Sequence, residues 1–263
     1  MSSGSEIQQR NRAVIPLLIV AVAVILIAAV LFMQSGSGKD DAKDAPVDVP
    51  QSSEEGKVPE DTVITETEES AGSEENPYAE LAFAEERNPD DPLAAGPVDA
   101  PVAMVIFSDY QCGYCAKWST ETLPLMMEYV EDGKLRIEWR DVNIFGEDSE
   151  RAAAASYAAG LQGKFWEYHD RLFADGATRS PAELSEESLT ELASELGLDQ
   201  AKFTKDLNAE STLDAVKRNA NLGLSMGVSS TPSFLVGLEP VVGAQPSEYF
   251  VQLLNQKLAL AGS

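Results

Sequence analysis

The sequence predicts an α/β domain that follows a transmembrane helix and a disordered acidic linker. An unbroken apolar run covers residues 13–33, and an acidic stretch interrupted by prolines covers residues 34–76. Beyond that point, segments with the two-residue period of strands alternate with segments of helical period, as in α/β proteins. Residues 97–263 of this part, roughly 165 residues, are by themselves enough for one hydrophobic core.

Residues 13–33 form the candidate membrane anchor. The run is 21 residues long, which matches the ~20 residues that a helix needs to cross the hydrocarbon core. A cleaved signal peptide is the alternative, but its apolar core would be ~7–15 residues long and would end at a small-residue cleavage site. Residues 34–38 offer no such site, so an uncleaved anchor is favoured.

The basic residues around the anchor predict its orientation. Arg10 and Arg12 precede the run, whereas Lys39 after it is followed at once by Asp40 and Asp41. Because Lys and Arg stay on the cytoplasmic side, residues 1–12 should be cytoplasmic and the remainder extracytoplasmic. We therefore expect a single-pass protein of the cell membrane, in a compartment where a cysteine pair can be kept oxidised.

The linker, residues 34–76, is too acidic to fold alone. Residues 40–80 hold 14 acidic residues against two lysines, a net charge of −12, and such composition predicts disorder. The predicted folded domain is residues 77–263. Its residues 97–263 hold 25 acidic and 13 basic residues, and this balance argues against nucleic-acid binding, which needs a basic face.

The strand order can be predicted from apolar patterns. Residues 102–107 are almost wholly apolar, which predicts a central strand covered on both faces. Residues 135–140 alternate apolar and charged side chains, which predicts a half-buried strand. Residues 233–237 predict a third strand that pairs with residues 241–243 across a turn at residues 237–240.

Helical patterns fill the intervals between these strands. Residues 116–130 predict a helix that Pro124 should kink, ending its first segment, and about residues 147–226 are predicted to form a helical block. A closing helix is predicted from Pro246. The order is strand, helix, strand, helical block, two antiparallel strands and helix. This order is that of a thioredoxin fold with a helical insertion between the second strand and the strand near residue 233.

Cys112 and Cys115 are the only cysteines in the chain, and they lie where the first strand leads into a helix. A Cys-x-x-Cys pair in that position is the thioredoxin-type redox arrangement. Cys112 would lie at the helix N-terminus, where unpaired N–H groups and the helix dipole favour an anion. The pKa of its thiol should therefore fall, and the sulfur should become a nucleophile.

Other uses of the pair fit less well. A zinc site needs about four ligands, but the chain offers two cysteines and one histidine, His169. Attachment of c-type haem needs a histidine straight after the second cysteine, and Ala116 stands there. A purely structural disulfide would close a very short loop and gain little chain entropy. Redox chemistry is the favoured interpretation.

Three separated segments resemble DsbA-like thiol:disulfide oxidoreductases of the thioredoxin superfamily. They are residues 107–115, 163–170 and 230–234, and the resemblance extends over about residues 92–258. It implies a cis Thr231–Pro232 bond that lies against the Cys112 sulfur and leaves the Thr231 backbone free to pair with a substrate strand.

The resemblance also implies the roles of the site residues. Cys112 and Cys115 would be catalytic, with Cys112 the nucleophile and Cys115 the resolving residue. Gly113, Tyr114, Thr231 and Pro232 would contact substrate. No metal or organic cofactor is implied.

Two departures from the family pattern bear on the mechanism. Gly113 and Tyr114 stand where DsbA itself has Pro-His, and this dipeptide resembles that of the disulfide isomerases DsbC and DsbG. Stabilisation of the Cys112 thiolate should then fall mainly to backbone N–H groups. Ile106 replaces a buried acid that many thioredoxin-like proteins carry six residues before the first cysteine, which argues against any carboxylate relay that deprotonates Cys115.

Other polar and aromatic residues near the motifs are interpreted more simply. Asp109 and His169 are predicted to be structural, the histidine packed and hydrogen-bonded. Tyr110 and Trp118 can either line a peptide-binding surface or belong to the core.

The function implied is an extracytoplasmic oxidoreductase that transfers the Cys112–Cys115 disulfide to exported proteins through a mixed disulfide. Re-oxidation would need a quinone-linked membrane partner of the DsbB or vitamin K epoxide reductase type. Two alternatives stay open at this point. The same site could serve an isomerase or reductase, or the domain could be a redox-silent chaperone that binds peptides.

Overall fold

The computed structural model describes residues 77–262 of the 263-residue chain. The predicted cytoplasmic segment 1–12, anchor 13–33 and linker 34–76 lie outside the described residues. Between residues 77 and 262, no helix is long and apolar enough to cross a membrane.

A mixed sheet forms the centre of the described part of the chain. Its order is β1-β3-β2-β4-β5, and the strands are β1 (Ala94–Ala95), β2 (Val102–Ser108), β3 (Leu135–Asp141), β4 (Ser233–Val236) and β5 (Glu239–Val242). Strand β2 runs parallel to β3 and antiparallel to β4, and all of its residues are buried. The predicted α/β class and the predicted central strand are confirmed.

Helices pack on both sides of this sheet. Those that the structure describes are α1 (Gly113–Glu121), α2 (Leu123–Glu131), α3 (Glu147–Gly160), α4 (Phe165–Leu172), α5 (Glu186–Glu195), α6 (Gln200–Leu207), α7 (Glu210–Ser225) and α8 (Ser247–Ala261). Helices α3 to α7 lie between β3 and β4, the interval in which the sequence predicts a helical insertion. Short 3-10 helices cover Ala79–Ala84 and Ala174–Gly176.

The helix predicted over residues 116–130 is divided into two helices, as expected, but the division lies at Thr122 rather than at Pro124. Helix α1 begins earlier, at Gly113, with Cys112 as its N-cap, and it ends at Glu121. Thr122 separates the helices with φ −113° and ψ −40°. Pro124 then lies in the first turn of α2, where its missing N–H would have no intrahelical partner.

The β4–β5 hairpin is tighter than predicted. Its turn consists of Gly237 and Leu238, whose φ angles are +51° and +68°, and two-residue turns of this kind match the twist of paired strands. Strand β5 therefore starts at Glu239, and Pro240 pairs with Leu235. Because β5 is at the edge of the sheet, the missing N–H of the proline is tolerated.

The prediction of a half-buried β3 is wrong, because all seven of its residues are buried. The segment before β1 crosses the charged face of the strand. Glu138 pairs there with Arg136 at 2.7 Å and with Arg140 at 3.2 Å. It also accepts the backbone N–H groups of Glu86 and Arg87, at 3.0 and 2.7 Å. Pairing with these donors is what allows the carboxylate to be buried.

Replacing Glu138 by alanine should destabilise the domain by about 3–5 kcal/mol. The substitution removes the carboxylate that pairs with Arg136 and the acceptor of two backbone N–H groups. Urea unfolding at neutral pH would measure the loss. The control is Glu121→Ala, because its ion pair with Lys117 is 60% exposed at both side chains and should contribute less than about 1 kcal/mol. Equal losses in both variants would contradict the assignment.

Candidate active site

The two cysteines lie where β2 leads into α1. A turn after β2, closed by the Cys112 N–H to the Asp109 carbonyl at 3.0 Å, brings Cys112 to the N-cap position. Its Sγ accepts the backbone N–H of Cys115 at 3.3 Å, as a serine hydroxyl does at other N-caps. Both residues are free thiols. The start of α1 is therefore built to stabilise a sulfur anion at Cys112.

The loop before β4 completes the site from the other side. The Thr231–Pro232 peptide bond is cis, as the resemblance implied, and the Thr231 carbonyl lies 3.2 Å from the Cys112 sulfur. The antiparallel register of β2 and β4 pairs Phe107 with Ser233. That register carries both segments to the same end of the sheet, so residues 119 positions apart meet there.

The residues of the motif differ sharply in exposure. Cys112 is 4% exposed and Cys115 is 1% exposed, whereas Gly113 is exposed and Tyr114 is 71% exposed. An open pocket of about 570 Å³ lies beside this dipeptide and extends to Asp175. A partner can thus meet the Tyr114 ring and the edge of Cys112, but it cannot reach Cys115 directly.

The pKa values of the two thiols move in opposite directions. The pKa of Cys112 falls to about 6, mainly because the Cys115 side chain hydrogen-bonds to it. Burial opposes this shift, whereas the backbone N–H groups of Cys115 and Tyr114 and the nearby Thr231 side chain add to it. Burial raises the pKa of Cys115 far above its usual range, and hydrogen bonding to Cys112 raises it further. Near neutral pH, Cys112 is the thiolate and Cys115 the thiol.

Asp109 has the structural role that the sequence predicts. It is fully buried and accepts the backbone N–H of Gln111 at 2.8 Å and that of Phe145 at 3.1 Å. The second bond ties the β3–α3 loop to the turn before the cysteines. In that loop Ile144 is 43% exposed and Phe145 is 57% exposed. The sequence carries one signal for this apolar edge, a pair of large apolar residues within a short loop, and it was not among the predicted site residues.

His169 and the two aromatic residues near the cysteines belong to the interior. His169 is buried, 3.3 Å from the Ser119 hydroxyl and 3.2 Å from an Asp170 carboxylate oxygen, so it is packed and hydrogen-bonded as predicted. Tyr110 and Trp118 are 1% and 2% exposed, which places them in the core rather than on a peptide-binding surface.

A buried acid that the sequence analysis did not single out ends β3. Asp141 is 1% exposed and pairs in register with Ser108 at the end of β2. Its Oδ1 accepts the indole N–H of Trp139 at 3.0 Å, while its Oδ2 is buried without a hydrogen-bond partner. Burial raises the pKa of Asp141 to about 7. The signal that could have found it is a polar residue at the carboxyl end of each of two adjacent parallel strands.

Alkylation of the reduced protein at neutral pH should label Cys112 first. With a pKa of about 6 the Cys112 thiol is mostly ionised, whereas Cys115 stays protonated. The rate of reaction with iodoacetamide, followed by mass spectrometry, should rise through a midpoint near pH 6. The Cys115→Ser variant should still react, and Cys112→Ser should be nearly inert. Preferential labelling of Cys115 would overturn the assignment.

Comparisons with known proteins agree with this geometry. The family model described as thioredoxin matches residues 88–256. The probable disulfide bond formation protein D of Bacillus anthracis is 30% identical over 146 residues, which are 54% of this chain and 67% of that protein.

Two solved structures illustrate the likeness of fold. A thioredoxin-like oxidoreductase from Silicibacter pomeroyi DSS-3 is 28% identical, with a TM-score of 0.56 over 66% of this chain and 95% of that chain. The α-DsbA1 of Wolbachia pipientis is 18% identical, with a TM-score of 0.58 over 64% of this chain and 92% of that chain.

The matched family region begins before β1 and ends within α8, so it includes the cysteine pair and the cis bond. The chain therefore belongs to the thioredoxin family, and it is a thiol:disulfide oxidoreductase.

Proposed function

We propose that the protein is an extracytoplasmic oxidase that transfers the Cys112–Cys115 disulfide to exported proteins. The observation that carries this proposal is the asymmetry of the two thiols. Cys112 is at the accessible start of α1 with a pKa of about 6, and Cys115 is buried behind it with a raised pKa. An oxidase needs a stabilised reduced form, and a low thiolate pKa supplies it.

The reaction runs through one mixed disulfide. A substrate thiolate attacks the Cys112 sulfur, the Cys112–Cys115 bond breaks, and Cys115 leaves and takes up a proton. A second substrate thiolate then attacks the substrate sulfur of the mixed disulfide, and Cys112 leaves as a thiolate. The substrate loses two electrons and gains a disulfide, while the enzyme becomes the dithiol. A quinone-linked membrane partner of the DsbB or vitamin K epoxide reductase type would remove those electrons.

The surroundings of Cys112 suit an unfolded peptide. The Thr231 and Pro232 backbone at the cis bond lies against the sulfur, where an extended substrate could add as a strand. Gly113 leaves open space where a Cβ would stand, and the exposed rings of Tyr114 and Phe145 offer apolar contact.

The location belongs to the same proposal. The 21-residue apolar run 13–33 has the length of a membrane span, and the arginines before it favour a cytoplasmic N-terminus. The acidic linker 34–76 would then hold the folded domain away from the membrane surface. In this arrangement the enzyme meets its substrates as they leave the cytoplasm.

A reductase or isomerase is the second candidate, because the Gly113 and Tyr114 dipeptide resembles that of disulfide isomerases. The sign of the stability difference between the reduced and disulfide forms separates the two candidates. Cys112 has a folded pKa of about 6, below the ~8.5 of a free thiol. The resulting stabilisation of the reduced form is complete above the pKa of the unfolded thiol, and it is lost as pH falls through 6.

The reduced protein should therefore melt at a higher temperature than the disulfide form at pH 7 to 8. Between pH 6 and the pKa of the unfolded thiol, the difference in unfolding free energy should fall by about 1.4 kcal/mol for each unit that the pH is lowered. Calorimetry of both forms from pH 5 to pH 8 would measure this dependence. In parallel, the oxidised protein should oxidise a reduced, unfolded substrate stoichiometrically, and Cys115→Ser should accumulate the mixed disulfide.

If the disulfide form is more stable than the reduced form, the oxidase proposal is wrong and the protein is a reductase instead. Peptide binding that survives in the variant with both cysteines changed to serine, without substrate oxidation by the native protein, would favour the chaperone instead.

Full-length protein should sediment with membranes and resist extraction by alkaline carbonate, because residues 13–33 would span the bilayer. A variant without residues 1–33 should be soluble, with unchanged dithiol oxidation. Protease added to the outer face of spheroplasts should digest the folded domain. Extraction of the full-length chain by carbonate, or protection of the domain from external protease, would contradict the proposed location.

A further inference from the structure

The open pocket of about 570 Å³ beside the cysteine pair runs along the exposed face of α1, and we refer to it as the α1 pocket. Tyr114, Lys117 and Glu121 line one of its walls. They are spaced three and four residues apart on α1, so they are neighbours on one face of the helix. This wall begins two residues after Cys112, and a substrate joined to the Cys112 sulfur therefore has the pocket beside it.

The opposite wall of the α1 pocket is the 3-10 segment that follows α4, and it contributes Asp175 and Gly176. A Cβ at Gly176 would lie 3.1 Å from the Thr120 hydroxyl oxygen, so this segment packs closely on α1. The Gln111 side chain donates to the Arg179 carbonyl at 3.0 Å. That bond ties the chain after the segment to the residue before the first cysteine, and both walls are thereby fixed to the redox site.

The charges of the α1 pocket favour a cation. Its charged side chains are two carboxylates and one ammonium, a net charge of −1. Lys117 pairs with Glu121 at 3.8 Å along the helix, and these two charges offset each other. Asp175 is exposed and belongs to none of the ion pairs between residues 77 and 262. The charge that complements this pocket is therefore positive.

Tyr114 gives the pocket a second means of binding a cation. It is 71% exposed, and Gly113 before it leaves open space where a Cβ would stand, so the face of the ring can be reached. The face of an aromatic ring attracts an ammonium or guanidinium group within about 6 Å of its centroid. A lysine or arginine can thus bind with its charged end between Tyr114 and Asp175, while its aliphatic stem packs on apolar surface.

We propose that the α1 pocket is a specificity subsite for a basic residue next to the substrate cysteine. The proposal rests on the proposed function, because it names the class of substrate that the oxidoreductase prefers. That substrate is an unfolded segment in which lysine or arginine is adjacent to the cysteine. Consecutive Cα atoms are about 3.8 Å apart, so the long basic side chain starts one step from the mixed disulfide and extends into the pocket. Tyr114 and Asp175 select the substrate and take no part in the exchange of electrons.

Transfer of a peptide to Cys112 measures this selection directly. The full-length protein, in nonionic detergent, carries Cys115→Ser so that the mixed disulfide accumulates. Each peptide holds its single cysteine in a disulfide with thionitrobenzoate. The Cys112 thiolate attacks the peptide sulfur, the bond to thionitrobenzoate breaks, and the coloured thiolate leaves. Its absorbance gives the second-order rate constant of the transfer.

Three five-residue peptides differ only in the two residues beside the cysteine, which are arginine, glutamine or glutamate. Their rates with 2-mercaptoethanol, a neutral thiol, correct for intrinsic reactivity. At low ionic strength, where exposed charges are least screened, the arginine peptide should react at least about fivefold faster than the glutamine peptide. The glutamate peptide should be the slowest. We expect about two- to fivefold from each of the two exposed contacts.

Asp175→Asn removes the carboxylate charge without straining the backbone. The φ of Asp175 is +63°, and asparagine is one of the few residues that tolerate this left-handed conformation. The ratio of the arginine to the glutamine rate constant should fall about two- to threefold. Asp214→Asn is the matched control, because Asp214 is an exposed carboxylate on α7 and away from the pocket, and it should keep the parent ratio.

Two substitutions of Tyr114 test the contribution of the ring. Tyr114→Leu keeps an apolar side chain but removes the aromatic face, so the same ratio should fall about two- to fivefold. Tyr114→Phe keeps the face and should retain the parent ratio. Because the ratio compares two peptides on one variant, a change in the reactivity of Cys112 itself cancels.

Equal rate constants for the arginine and glutamine peptides would overturn the subsite. Equal losses in Asp175→Asn and Asp214→Asn would also overturn it, because the preference would then come from the net charge of the protein. A glutamate peptide that reacts fastest would refute it as well, since Lys117 would then govern the pocket. The transfer to Cys112 does not depend on the oxidase direction. Failure to oxidise an unfolded substrate would therefore refute the proposed function and leave this comparison intact.

Discussion

The antiparallel pairing of β4 with β2 is the constraint on which the site depends. Strand β2 ends at the turn that presents Cys112, and β4 begins directly after Pro232. Because Phe107 pairs with Ser233, the Thr231 carbonyl is brought to 3.2 Å from the Cys112 sulfur. A register slip of one residue would turn every side chain of β4 to the other face, and it would remove that contact as well.

The chemical asymmetry of the cysteines follows from the same placement. Cys115 follows Cys112 by three residues. The Cys112 sulfur therefore lies at the N-cap of α1, and the Cys115 sulfur lies beneath it in the first turn. Cys112 Sγ accepts N–H groups that would otherwise lack intrahelical partners, and the anion is stabilised. Cys115 lies in the main core, where a charge is costly. One helix start thus separates the pKa values of two identical side chains.

The sequence was most informative where the determinant is local. Three features could be predicted from neighbouring residues alone. They are the redox pair of Cys112 and Cys115, the central strand β2 and the Thr231–Pro232 bond, and the structure brings them together. The charged face of β3 could not be predicted in the same way. Glu138 is buried only because a segment about 50 residues earlier in the chain covers it, and the alternating pattern of the strand does not reveal that cover. Asp141 was missed for a related reason, since its neighbour Ser108 is fixed by strand register.

Strand β3 consequently carries buried acids of two kinds. On one face Glu138 is held by two arginines and two backbone N–H groups, so both of its carboxylate oxygens have partners. On the other face Asp141 has one donor, the Trp139 indole, and its second oxygen has no partner. A buried carboxyl oxygen without a partner lowers the stability of the fold, and burial raises the pKa of this carboxyl to about 7. Because Asp141 pairs in register with Ser108 at the end of β2, the strand pairing that places the cysteines at the end of the sheet also fixes the position of this acid.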